Sequence, residues 1–241
     1  MTIQEAHFQF KLSFDRIDSQ SNPDFEISEI DFFLNEARLI FIKNRMTGNN
    51  ARGLGFETTQ KRIDDLSTLV VKFPEQQPIV PTEDSGVYEL KLTDLKYDYL
   101  FMIDVFADMT KSGCTFSKVP LRPIQHDDYL DALRDPFNNS STEFLLYNTG
   151  RSSDSTSSSI YMYPDPSYTV DKVYLEYVKY PAKVSYGGYQ YVDGITYPAQ
   201  TFDLPEHTHR EIVDIAVQLA AISVENPEYI QLKNLKRTLS E

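Results

Sequence analysis

Tryptophan is absent from this 241-residue chain and cysteine occurs once, at Cys114. A single thiol excludes an intrachain disulfide framework and any zinc site built from several cysteines, and a reducing compartment is the natural reading. Cys114 lies beside Gly113 in strand-like sequence, which predicts a packed or edge-strand thiol, not a nucleophile. There is no run of about 18 apolar residues, so no membrane span is expected. The first residues, MTIQEAHFQFKLSFDR, lack the basic-then-apolar layout of a secretory signal. The expectation is a protein made in the cytoplasm that stays there or leaves inside something else. Positive charge is also in short supply: 23 basic against 36 acidic residues give a net charge of −13. A general nucleic-acid-coating protein needs Lys and Arg against phosphates, so the charge argues against that class. An acidic surface suits a protein that DNA must pass without sticking, and equally one that is simply soluble.

Catalytic signatures are missing as well. His207 and His209 stand two apart, so on a helix they point to different faces, unlike the HExxH zinc arrangement. His126, Asp127 and Asp128 head a short helical stretch, where N-capping and the helix dipole account for the carboxylates. GNNARGLG (48–55) has glycines but neither the GxxxxGK[ST] cradle nor a preceding strand, and no serine sits in a GxSxG elbow. The reading is a protein that is not an enzyme, with no metal and no cofactor.

What the chain does have is helical and strand periodicity in blocks. Ile3, Ala6, Phe10, Phe14 and Ile17 form one helical stripe. After SQSNPD (19–24), Ser28 is placed to cap a second helix over Glu29–Met46, with Ile30, Phe33, Leu34, Ala37, Ile40 and Phe41 inward and Lys43 and Arg45 at its end. A third helix is predicted over Gly55–Val70, and Pro74, Pro78 and Pro81 mark a linker. Residues 1–36 carry eight acidic side chains against two basic ones, so acidity concentrates at this end. The middle then turns to strands: Val87–Leu92, Tyr97–Met109, Ser117–Leu121, Phe144–Asn148, the IYMYP run and the alternating Thr169–Pro181. A short helix is expected over 125–135 and a polar, flexible loop over 149–159. GGYQYVDGITYPAQ reads as a hairpin or extended loop. The predicted fold is therefore α+β: an N-terminal helical bundle (1–72), a Tyr-rich β-region inserted at 73–202, and a C-terminal helix with an arm (203–241), the helices 1–72 and 203–226 sharing one domain.

Two features point to contacts. Of 16 tyrosines, ten lie between Tyr161 and Tyr197; tyrosine favours both half-buried strands and wet interfaces. Tyr186, Tyr189 and Tyr191 are the candidate contact residues. The final helix, LPEHTHREIVDIAVQLA, is apolar on most faces and therefore needs partners on most faces; Asp203 and Glu206 are spaced as a capping box around its Pro205. Beyond it, Tyr229, Leu232, Leu235 and Leu239 recur at helical spacing among Lys233, Lys236 and Arg237. Such a segment either packs on its own domain or lies as an amphipathic arm in a partner's groove.

Taken in order, EIDFFLNEARLIFIKNRM, GFETTQKRIDDLSTLV, QHDDYLDALRDPF, YLEYVKYPAKV and LPEHTHREIVDIAVQLA resemble structural proteins of tailed bacteriophages, and most closely the neck or ring proteins of crAss-like phages. The resemblance spans roughly residues 25–225. It implies a virion protein assembled in the host cytoplasm: a head-to-tail connector or adaptor forming a ring, typically of about twelve copies, beneath the portal and extending the DNA channel. It also implies that Pro227–Glu241 docks on the portal protein, through Tyr229, Leu232, Lys233, Leu235, Lys236, Arg237 and Leu239, and that other neck-ring or tail proteins are neighbours while DNA passes without specific binding. The long Tyr-rich region exceeds a minimal adaptor, so the alternative is a tail or fibre-adaptor binding module.

Overall fold

The structure, a computed structural model, describes residues 1–15, 25–46, 56–76, 86–135, 137–151, 158–190 and 193–223. The chain divides into two compact units, one joining Met1–Leu69 to the chain from Pro181 onward, the other running from Val70 to Tyr180.

The first unit is helical. Helix α1 (Ile3–Asp15) opens with a reciprocal cap: the Glu5 N–H donates to Thr2 Oγ1 at 3.2 Å, and the Thr2 N–H donates to Glu5 Oε2 at 2.8 Å. Ile3, Ala6, Phe10 and Phe14 are buried along one stripe, as their spacing predicts; Ile17 lies outside the described residues. Helix α2 (Ile27–Met46) begins two residues before the predicted start. Its first turn is closed by the Glu29 carboxylate, which accepts the Glu26 N–H at 2.9 Å, so Glu26 and not Ser28 stands at the head. The third predicted helix is shorter than its periodicity suggested. A 3-10 turn (Phe56–Thr58) leads into α3 (Gln60–Leu66), and the chain turns at 67–69 into a strand at Val70.

The second unit is one seven-stranded sheet. Its strands are β1 (Val70–Gln76), β2 (Tyr88–Lys91), β3 (Tyr99–Lys111), β4 (Cys114–Pro123), β5 (Leu145–Arg151), β6 (Ser158–Tyr163) and β7 (Thr169–Lys179), in spatial order β1-β7-β3-β4-β5-β6-β2. All neighbours are antiparallel except β4 and β5. That parallel step needs a crossover, and helix α4 (Tyr129–Arg134) lies in it. α4 is narrower than the expected 125–135 because Asp127 and Asp128 belong to the turn before it. β3 and β4 form a hairpin across Ser112 (φ 49°) and Gly113 (φ 84°), two positive-φ residues whose twist matches that of the strands. Cys114, next along, is exposed. One core collects Leu90 from β2, Met109 from β3, Leu121 from β4, Leu145 from β5, Met162 from β6 and Leu175 from β7. A sheet whose far strands share a core is curled, and β1 and β2 are left as its edges.

Helix α5 (Glu206–Ser223) returns the chain to the first unit and packs on α1 and α2. It buries Ile212, Val213, Ala216, Val217, Ala220 and Ala221. Packing against two helices at once accounts for a helix apolar on several faces. The proposed capping box is not formed. Asp203 Oδ2 instead accepts the Ala182 N–H at 2.9 Å, while the Thr208 N–H donates to Pro205 O at 3.0 Å. Among the described residues no helix is long and apolar enough to cross a membrane.

Candidate contact surface

Helix α2 carries two buried stripes side by side. One is apolar: Ile30, Leu34, Ala37 and Phe41. The other is polar: Asp31, Asn35, Arg38 and Arg45, at spacings that keep them on one face. Buried polar groups need partners, and here the partners are largely backbone. Asn35 Nδ2 donates to Val184 O at 2.8 Å and to Asp31 O at 2.8 Å, while Asn35 Oδ1 accepts the Val184 N–H at 2.9 Å. Arg38 donates to Ala182 O. The Asp31 carboxylate accepts the Tyr186 N–H at 2.7 Å and the Tyr189 hydroxyl, and its other oxygen lies 2.7 Å from His7 Nε2. The side chains of one helix thus serve a chain segment, 182–189, that belongs to no named strand and meets an extended neighbour through the bridge of Ser185 to Gln200.

This places two of the three singled-out tyrosines. The Tyr186 ring lies 4.9 Å from the His7 ring. Tyr189, anchored by its hydroxyl on Asp31, lines an open groove of about 580 Å³ together with Lys11 of α1, Phe25, Glu26, Ile27 and Ser28 at the head of α2, and Gln190. Tyr191 and all seven residues of the expected portal-docking arm lie outside the described residues. Between the tyrosines, Gly187 has φ +84°, and a Cβ there would stand 2.8 Å from Ala199 N. Gly187→Ala is therefore expected to displace the loop at a cost of about 1–3 kcal/mol, read as a lower urea midpoint with faster proteolysis around residues 186–199. Further along, hydrogen bonds from Lys183 and then from the Tyr197 hydroxyl hold the exposed Asp193 carboxyl down to about 2. The same contacts raise Lys183.

A second polar cluster ties the other end of α2. Arg45 donates to Asp65 of α3 and to Glu211 of α5, both at 2.7 Å, and His207 Nε2 lies 2.9 Å from Asp65 Oδ1. His209 is buried, with Nε2 2.8 Å from Leu204 O and its ring 4.9 Å from that of Phe202. Its Nδ1 has no hydrogen-bond partner among the described residues. Burial lowers its pKa from the ordinary 6.5, against a smaller opposing pull from the Leu204 carbonyl. As pH falls through 6.5 toward the depressed folded value, the unfolded chain takes up the proton first and stability drops. His209→Gln is expected to flatten this dependence; unfolding midpoints for both proteins at pH 8 and pH 5.5 measure the difference.

His126 and the two acids at the head of the short helix point to separate contacts. His126 Nε2 lies 3.0 Å from Thr149 O, and Asp127 and Asp128 are exposed. No group of three or more His, Cys, Asp or Glu among the described residues is placed to hold a metal ion. The buried charges and the groove belong to an α+β protein whose polar chemistry is spent on holding a loop and shaping a surface. A family model described as phage tail ring protein 3/4 matches residues 1–229. The chain belongs to that family, the ring proteins of crAss-like phages, and is a structural component of the virion. No curated protein matches it.

Proposed function

We propose that this chain forms a ring of about twelve copies in the phage neck, between portal and tail, and extends the channel through which DNA passes. The match to a ring-protein family over residues 1–229 carries the reading. The net charge of −13 supports it, because an acidic wall repels the phosphate backbone and lets DNA slide. In this reading Pro227–Glu241 is the portal-docking arm, and the surface around Tyr186, Tyr189 and Tyr191 meets neighbouring neck or tail proteins. The protein needs no cofactor and performs no catalysis.

The test is the native mass of the chain recovered with its co-expressed portal protein. A complex with ring stoichiometry is the expected result, and removal of 227–241 should abolish portal attachment while the fold survives. A monomer that ignores the portal overturns the reading in favour of a tail or fibre-adaptor module.

A further inference from the structure

The crossover between β4 and β5 holds two large apolar side chains out in solvent. Phe137 is 90% exposed and Leu130, on α4, is 52% exposed. The turn that carries Phe137 is nonetheless fixed. Asp135 Oδ1 accepts the Phe137 N–H at 2.9 Å, and Asp135 O accepts the Asn139 N–H at 3.0 Å. The buried Ser140 ties the turn to the sheet, its hydroxyl donating to Tyr163 O of β6 and accepting the Leu146 N–H of β5 at 3.0 Å. A large ring held out on a fixed turn pays little ordering cost when a partner covers it, as anchor residues at interfaces do. The charge around it says what kind of partner fits. Asp127, Asp128, Asp131 and Glu143 are exposed on this crossover against Arg134, and among the described residues none of these carboxylates has an ion-pair partner. The crossover therefore suits a segment with an apolar stripe bordered by positive charge.

The chain itself carries such a segment after α5, which ends at Ser223. Between Tyr229 and Ser240 there is no acidic residue, in a chain whose net charge is −13. At helical spacing Leu232, Leu235 and Leu239 share one face, and Lys236, Lys233 and Arg237 follow it around one side. Residues 224–241 can span about 60 Å when extended, enough to reach a neighbouring molecule. We propose that the leucine face of this arm in one copy covers Phe137 and Leu130 of the next copy, with its bases against Asp127, Asp128 and Asp131. This rests on the ring reading above and gives the arm a seat within the ring in addition to the portal. A ring built head-to-tail needs two different complementary surfaces on every chain, and the acidic crossover and the basic arm are such a pair.

Two reversed-charge variants test the contact. One changes the crossover, Asp127→Lys with Asp131→Lys, both exposed positions. The other changes the arm, Lys233→Glu with Lys236→Glu. Each is expected to keep the wild-type circular dichroism and urea midpoint. Native mass is measured for wild type, each variant and their equimolar mixture, alone and with co-expressed portal. The expected result is a ring for wild type and single subunits for each variant by itself. The mixture should return rings in which the two variants alternate, because the basic arm of the first fits the acidic crossover of the second, and the acidic arm of the second fits the basic crossover of the first. Phe137→Ser, which alters a side chain facing solvent and reverses no charge, should also give single subunits. Variants that each assemble at wild-type mass overturn this pairing and leave the ring reading standing. So does a mixture that stays at single subunits, the outcome for an arm that folds onto its own crossover or meets only the portal. A wild type that never exceeds one subunit, with or without portal, overturns both.

Discussion

Asp31→Ala is expected to lower the unfolding free energy by about 3–5 kcal/mol, the usual effect of removing one member of a buried charged group. Asp31 has no solvent exposure. It accepts from the Tyr186 N–H and the Tyr189 hydroxyl and pairs with His7, so truncation leaves three polar groups facing an apolar gap. Each unsatisfied donor costs about 1–3 kcal/mol, less whatever water or relaxation recovers. Tyr189→Phe, which removes one of the three, should cost only about 1 kcal/mol. Urea unfolding followed by tyrosine fluorescence measures both, with an unchanged slope showing that only stability moved. A loss below about 1 kcal/mol for Asp31→Ala would mean that the carboxylate does not organise the Tyr186–Tyr189 loop. The effect reaches the groove, because Tyr189 lines it and is anchored by its hydroxyl on Asp31.

How much of this was legible in the sequence differs between the two stripes of α2. The apolar stripe largely follows from spacing: of Ile30, Phe33, Leu34, Ala37, Ile40 and Phe41, four are buried, while Phe33 and Ile40 are half-buried. The polar stripe was not legible. Asp31 counted toward the acidity of the N-terminal end, yet it is a buried acceptor for groups 155 and 158 residues away. A polar residue in an amphipathic pattern reads as solvent-facing unless its distant partner is known. The strand pattern shows the same limit. The runs Tyr97–Met109 and Thr169–Pro181 are recognisable as strands, but the pairing of β3 with β7 within them is a long-range fact. Pro74 was read as part of a linker, and it lies inside β1. β1 is an edge strand paired only with β7, and its register shifts between Phe73 and Gln76, so a residue without an N–H is tolerated there. The tyrosines around 186–191 stood out by composition alone. The groove beside Tyr189 did not, because Lys11, Phe25 and Ile27 reach it from other parts of the chain.

The second large effect is expected at Asn35, and it separates hydrogen bonding from packing. Its amide meets both backbone groups of Val184, as a neighbouring strand would, and Nδ2 also donates to Asp31 O. Asn35→Ala strips its partner from the Val184 N–H and from the Val184 carbonyl, while Asp31 O keeps its helical N–H, for a loss of about 2–4 kcal/mol. Asn35→Asp has nearly the same shape, so packing alone predicts a small effect. Hydrogen bonding predicts the opposite. A carboxylate oxygen in place of Nδ2 would face Val184 O and Asp31 O, each 2.8 Å from the nitrogen it replaces, and acceptors repel acceptors. The aspartate variant should therefore cost at least as much as alanine at pH 8. Protonation turns that oxygen into a donor, so the folded state raises the new carboxyl's pKa, and the variant should recover relative to Asn35→Ala as pH falls. Urea midpoints of both variants at pH 8 and pH 5 give the answer. If Asn35→Asp matches wild type at pH 8, shape and not hydrogen bonding holds the 182–189 segment on α2. If it falls below Asn35→Ala and recovers in acid, the helix side chain pairs with Val184 as a strand's backbone would.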